Sequence, residues 1–382
     1  MGSCDKEDKM APANDGRLPV GYRLAIRRAT IALLVISGAA LPALSQEPAA
    51  SSKPESSKPR PPRTLSPAEV EAFEKKVADN PNDLESRERL LTHYFTERDD
   101  TVRAVRARHV LWVIANAPEA EIAGRPEAGF HKGIETERYA EARGLWLRQV
   151  EANPRNAKVL ANAARFLLLD DRVEAEGLFK RGAEMEPGNF RWNEELAHLY
   201  ELEARRPNTT DRSAASKALE QYEAALAAGS PRSGVLANAA QCALWTGADA
   251  KAAAYASELL ARAEDAKGRP DGDAIHEGHR ILGHVALDAG DIEAAKRHLL
   301  ESAKTPGSPV LNSFGPELTL AKDLLAKGER QAVIQYLESL PRFWQGRQEA
   351  IDEWVILIRA GKTPDLDRFR ARMARSSTPA MP

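Results

Sequence analysis

One stretch restricts the fold more than any other: Leu282-Gly283-His284-Val285-Ala286-Leu287-Asp288-Ala289-Gly290-Asp291-Ile292-Glu293-Ala294-Ala295-Lys296-Arg297-His298-Leu299-Leu300. It reads as two short helices joined by a tight turn. Gly290-Asp291 is the turn, because glycine enters the left-handed conformation that ends a helix without steric cost. Ile292, Ala295 and Leu299, spaced i, i+3, i+7, form one apolar stripe. Gly283 and Ala286 before the turn, and Ala295 after it, are small where two helices must approach closely. A hairpin of this kind has an apolar face it cannot bury alone. It becomes stable when similar hairpins stack on either side, so recurrence of the pattern decides the fold.

The pattern recurs. Val159, Ala163, Phe166, Ala175, Phe179 and Pro187 follow the same order of apolar, small and helix-ending positions. Ala197 and Tyr200 come 34 residues after Ala163 and Phe166. The string Val159-Leu160-Ala161-Asn162-Ala163-Ala164 returns as Val235-Leu236-Ala237-Asn238-Ala239-Ala240, 76 residues later, with the insertion Arg205-Arg206-Pro207-Asn208-Thr209-Thr210-Asp211 between the copies. Gly247, Ala252 and Leu259-Leu260 belong to a further unit, and Leu320-Ala321, Gly328 and Leu337 to a last one. These positions, over residues 139–341, resemble the tetratricopeptide repeat, a helix–turn–helix unit of about 34 residues with a Leu-Gly, Ala, Phe/Leu and Pro signature. Residues 273–283 and 305–316 also resemble a group of exported bacterial proteins of that type. The resemblance implies an all-α fold, a right-handed superhelix of antiparallel helix pairs, and protein binding. It carries no catalytic residues.

Residues 66–138 read as degenerate helical repeats. Ser66-Pro67-Ala68-Glu69 is a capping box with proline at the first helical position. Val70, Phe73 and Val77 then face inward. A second helix is predicted from Leu84 to Glu97, with Leu84, Leu91, Tyr94 and Phe95 inward, and a third from Val102 to Asn116. Residues 117–135, which hold Gly124, Pro126, Gly129 and Gly133, form a loop where a helix is expected. Long loops in compact domains are often functional or flexible. Residues 342–375 are predicted to be capping helices: one over 343–359, with Ile351, Trp354, Val355 and Ile358 inward, and a short basic one from Asp365 to Ala374. Residues 376–382 are a loose tail.

The N-terminus reads as a processing segment. Arg23, Arg27 and Arg28 precede an apolar run over 29–41, followed by Ala43-Leu44-Ser45, a small-x-small pattern. This predicts a secretory signal over 1–45, cut after Ser45. Residues 46–65, with five prolines and four serines, predict a disordered linker. The expected location is therefore periplasmic or extracellular. The alternative is an uncleaved anchor, which makes the protein a membrane-anchored signalling module facing outward.

The net charge of −2, on a chain that is 29% charged, lacks the basic excess of a nucleic-acid binder. Only two cysteines occur, and removal of the leader leaves Cys242 alone, predicted to be a buried small hydrophobe. His276, Glu277 and His279 form the one metal-type cluster near His284. A helical zinc protease pair needs histidines at i and i+4; here the spacing is i+3, so no metal site is predicted. His279 instead fills the large-residue packing position of its repeat. The chain has no glycine-rich phosphate loop, no Gly-x-Ser-x-Gly and no Cys-x-x-Cys, so neither enzyme activity nor a cofactor is expected. Ser308 and Ser313 belong to a connector before a helix beginning at Pro316. An accessory role in an envelope enzyme, with a site at 117–135 or 305–316 using Ser313 or His276, is the competing reading. Arg103, Arg106 and Arg108 read as a solvated basic face.

In a stack of helix pairs the first helices line the inner wall. Two of them carry polar stripes at i, i+3, i+7: Arg191, Glu194 and His198, and Glu277, Arg280 and His284. Each stripe shares one helical face. Together they are the candidate peptide-binding groove, suited to a protein or peptide segment with charges of both signs. A histidine in each stripe predicts binding that changes as pH falls toward about 6. The matching face at Leu160, Ala164, Leu167 and Leu168 is apolar, so it is either covered by a neighbour or a sticky patch.

Overall fold

The computed structural model describes residues 65–97, 99–206, 211–265 and 270–366. The expected leader, nearly all of the linker, residues 207–210 of the insertion, most of the predicted basic helix and the tail lie outside them. Among the described residues are sixteen α-helices, three short 3-10 turns and no strand. The helices are α1 (Pro67–Asp79), α2 (Leu84–Phe95), α3 (Asp100–Asn116), α4 (Thr136–Ala152), α5 (Ala157–Leu167), α6 (Arg172–Met185), α7 (Phe190–Ala204) and α8 (Ser213–Ala227). They continue as α9 (Ser233–Thr246), α10 (Asp249–Asp265), α11 (Gly272–Asp288), α12 (Ile292–Ser302), α13 (Pro309–Phe314), α14 (Thr319–Ala326), α15 (Arg330–Ser339) and α16 (Gln348–Arg359).

Each helix from α1 to α11 packs on the next, α11 also packs on α9 and on α14, and α12 packs on α14 and α15. That combination is an all-α solenoid: α5–α6, α7–α8, α9–α10, α11–α12 and α14–α15 are the repeated pairs. Their boundaries are set locally. Ser66 closes the capping box with Glu69, and Asp83, Asp99, Asn156, Asn189, Asp271 and Asp291 accept backbone N–H groups at the starts of α2, α3, α5, α7, α11 and α12. At Gly290 the chain turns with φ 80°. The Asp291 N–H then reaches back to the Ala286 carbonyl at 2.8 Å, which closes the helix end. Gly247 and Gly328 repeat the device. Gly283 has a separate reason to be small, since a Cβ there would stand 2.3 Å from Leu320 Cδ2 of α14.

Several expectations need correction. Residues 117–135 hold no α-helix, as their glycines and proline predict, but the loop is folded into the interior. They form 3-10 turns at Glu121–Gly124 and Pro126–Ala128 and bury Ile122, Ala123, Ala128 and Phe130. The turns stand in the place of a first helix, before α4. Asn162 of α5 donates to the carbonyls of Pro118 and Ala120 at 2.9 and 3.0 Å. Arg106 is not part of a solvated face: it is 6% exposed, donates to the Glu127 and Gly129 carbonyls and pairs with Glu135 at 3.0 Å. Phe95, at the end of α2, is 48% exposed rather than inward. Helix α14 starts at Thr319, not Pro316, and Phe343 and Trp344 are buried in a turn ahead of α16 rather than within it. The four inward residues assigned to the last helix are all buried.

Candidate binding surface

The two polar stripes have different fates. On α7, Arg191 and His198 are exposed. Glu194 is not free: it accepts from Ser230 Oγ at 2.7 Å and pairs with Arg232 at 2.8 Å, tying α7 to the segment that enters α9. On α11 the stripe turns inward. Arg280 is 5% exposed, pairs with Glu277 and donates to Gln241 of α9. His284 is 9% exposed, with Nε2 3.1 Å from Thr319 Oγ1 and Nδ1 3.5 Å from Asp323 Oδ2. Glu277 keeps 30% of its side chain exposed. Arg280 and His284 are thus part of the repeat-to-repeat joint and not free groove contacts. The helix face is polar because its neighbours are.

The same joint removes one expected pH effect. Burial, followed by the Arg280 charge, pushes His284 down to about 4, so it remains neutral through pH 6. His279 is half-buried, with Nδ1 3.1 Å from His298 Nδ1. His276 is fully buried. Among the described residues no group of three or more His, Cys, Asp or Glu is placed to hold a metal ion. Cys242 is buried, and burial with the nearby Glu201 carboxylate pushes its thiol up to about 12.

Sequence reasoning passed over Glu201, one turn beyond His198. It is 3% exposed, accepts from the Tyr222 hydroxyl of α8 at 2.5 Å and binds Arg205, whose guanidinium lies 5.1 Å from the Trp245 ring centre. The i, i+3 spacing from His198 was the available signal. Its partner Tyr222, 21 residues further on, was not. Leu160, Ala164 and Leu167 are completely buried, with the 3-10 segment and α4 against α5, so this face is covered and not sticky.

A cleft of about 460 Å³ lies between the 3-10 segment, α5 and the start of α7. Its lining includes Glu119, Lys158, Arg165, Arg191, Trp192 and Glu195. Arg165 is paired with Glu195 at 2.5 Å. Glu186, at the cleft edge, accepts from Trp192 Nε1 and Asn189 at 2.8 Å. Lys158 and Arg191 make no ion pair among the described residues, and both stand in the first turn of an asparagine-capped helix. A cation there meets the positive end of the helix dipole and is not stabilised by it.

No known family model matches the chain. No curated protein matches it either. Among solved structures the chain is similar to PilW, described as a widely conserved type IV pilus biogenesis factor, at 18% identity and a TM-score of 0.37, covering 55% of this chain and 88% of that chain. Among the described residues no helix is long and apolar enough to cross a membrane.

Proposed function

We propose that this protein is an exported scaffold of tetratricopeptide type that binds another protein through the wall formed by its first helices. The observation that carries the reading is the cleft beside α5 and α7, where the carboxylates are already held by protein partners and Lys158 and Arg191 are not. A segment bearing carboxylates supplies what those two cations lack. Arg191 and His198 are the stripe residues that remain available to it. Arg280 and His284 act indirectly, by fixing the spacing of the wall. The reading gives the protein no catalytic role. The competing use of His276 and Ser313 meets a physical obstacle, since His276 is fully buried whereas Ser313 stands exposed on α13.

The test is photo-crosslinking in living cells, with the crosslinker placed at Lys158 or Arg191 and, as control, at exposed Glu184 on α6. One protein captured from both cleft positions and not from Glu184, and lost in the Lys158→Glu/Arg191→Glu double variant, supports the reading. The same adducts from all three positions, or none from the cleft, overturn it. Export has its own check in the N-terminal mass of the protein recovered from cells: a start just after Ser45 supports cleavage, and a mass retaining residues 29–45 supports the membrane anchor.

A further inference from the structure

The apolar interior of the solenoid is not continuous. One large buried cluster runs from Leu91 to Ile281, and a second from Ala295 to Leu366. Buried polar groups gather where they meet, beside the apolar Ile281 and Ala303: His276, Arg280 and His284 on α11, Ser302 on α12 and Thr305 just after it. His279 and His298 touch across the same helix pair, so half of the chain's eight histidines lie in one layer. We propose that this layer is an acid-sensitive hinge: uncharged imidazoles join the two parts of the stack at neutral pH, and protonation below about pH 6 loosens the joint and lets the parts move.

Each ring has a defined setting. His276 has Nδ1 3.4 Å from the Ser302 carbonyl, and its Nε2 is buried without a partner. Glu277 and Glu317 favour its charged form and Arg280 opposes it, with the Tyr336 hydroxyl of α15 in the same charge field. His284 faces Thr319 and Asp323 of α14; Glu277 favours its charge and Arg280 opposes it. For His279, Glu301 is favourable, while His298, Lys304 and His276 are not. For His298, Glu301 is favourable and Arg297 is not. Burial is the leading effect on all four, and all four stand below the usual histidine value.

The two Nδ1 atoms of His279 and His298 can share one proton. A second proton sets two cations face to face at 3.1 Å. His284, held at about 4, supplies a scale: an opening that returns its ring to water becomes roughly 30-fold more favourable at pH 5 than at pH 7.5. The consequence reaches the inner wall, because the Arg280–Gln241 bond and the Gly283–Leu320 contact span the layer and fix the spacing of α9, α11 and α14.

Hydrogen exchange on the full chain at pH 7.5 and pH 5, corrected for the pH dependence of chemical exchange, tests the hinge. The amides of α11, α12 and α14 are expected to lose about tenfold more protection than those of α5–α8. The His276→Gln/His284→Gln variant is expected to lose most of that difference. Equal loss in the two regions, or an undiminished difference in the variant, overturns the proposal. Should the variant not fold, the wild-type comparison decides alone.

Discussion

The solenoid buries histidine in two ways. Near the N-terminus, His109 of α3 is held at both ring nitrogens: Nδ1 accepts from Arg87 at 3.0 Å and Nε2 donates to Glu74 at 3.0 Å, a carboxylate that also accepts from the Tyr94 hydroxyl at 2.7 Å. In the layer between the two core clusters, His276 has one long bond and one nitrogen with no partner. Both rings sit below the usual histidine value, with burial the leading cause, but Glu74 pulls His109 back strongly through a hydrogen bond and its charge. A buried polar group costs little when its bonds are made and much when they are not. The N-terminal site is therefore a fastening, whereas the α11 site is a place where the stack can be let go.

The largest expected effect tests how firmly the N-terminal part is tied. Arg106→Ala removes one partner of a buried ion pair and two bonds to the 3-10 segment, and should cost roughly 3–5 kcal/mol in denaturant unfolding. A cost under about 1 kcal/mol would mean that residues 117–135 hold themselves in place.

Acid should act mainly at the other end. A histidine depressed in the folded state binds its proton more weakly there than in the unfolded chain. Its stability contribution is complete above the unfolded value near 6.5 and is lost as pH falls toward the folded value. For His284, with a folded value of about 4, roughly 2 kcal/mol is lost by pH 5. His276, His279 and His298 add to the loss in the same direction. A denaturant midpoint that does not move between pH 7 and pH 5 would contradict this.

A pair of like substitutions sharpens the contrast. His109→Met takes one buried partner each from Arg87 and Glu74, which keep Pro81 and Tyr94, and should cost about 2 kcal/mol. His276→Met removes an unpaired nitrogen and leaves a flexible apolar chain of similar size, so its effect should stay within about 0.5 kcal/mol. Equal costs at the two positions would erase the distinction drawn between them. The smallest effect belongs to the open cleft: Lys158→Ala with Arg191→Ala should leave the unfolding midpoint unchanged to within about 0.5 kcal/mol, since neither side chain is paired.

Helix pairing, several turn positions and the limits of the first helices were legible in the chain because they follow from local rules. A capping side chain reaches two or three residues, a left-handed glycine ends its own helix, and an apolar stripe has the period of the helix on which it lies. The stacking of the pairs followed from the recurrence of those stripes. Which polar stripe stays open depended on groups far away in sequence. Arg191 remains exposed while Arg280 is enclosed by Gln241, 39 residues earlier, and His284 by Thr319, 35 residues later. The 3-10 segment offered a run of glycine and proline, and only its contacts with Arg106 and Asn162 made it part of the interior. Local chemistry chose the elements; burial, which is a property of neighbours, chose which side chains remain available to a partner.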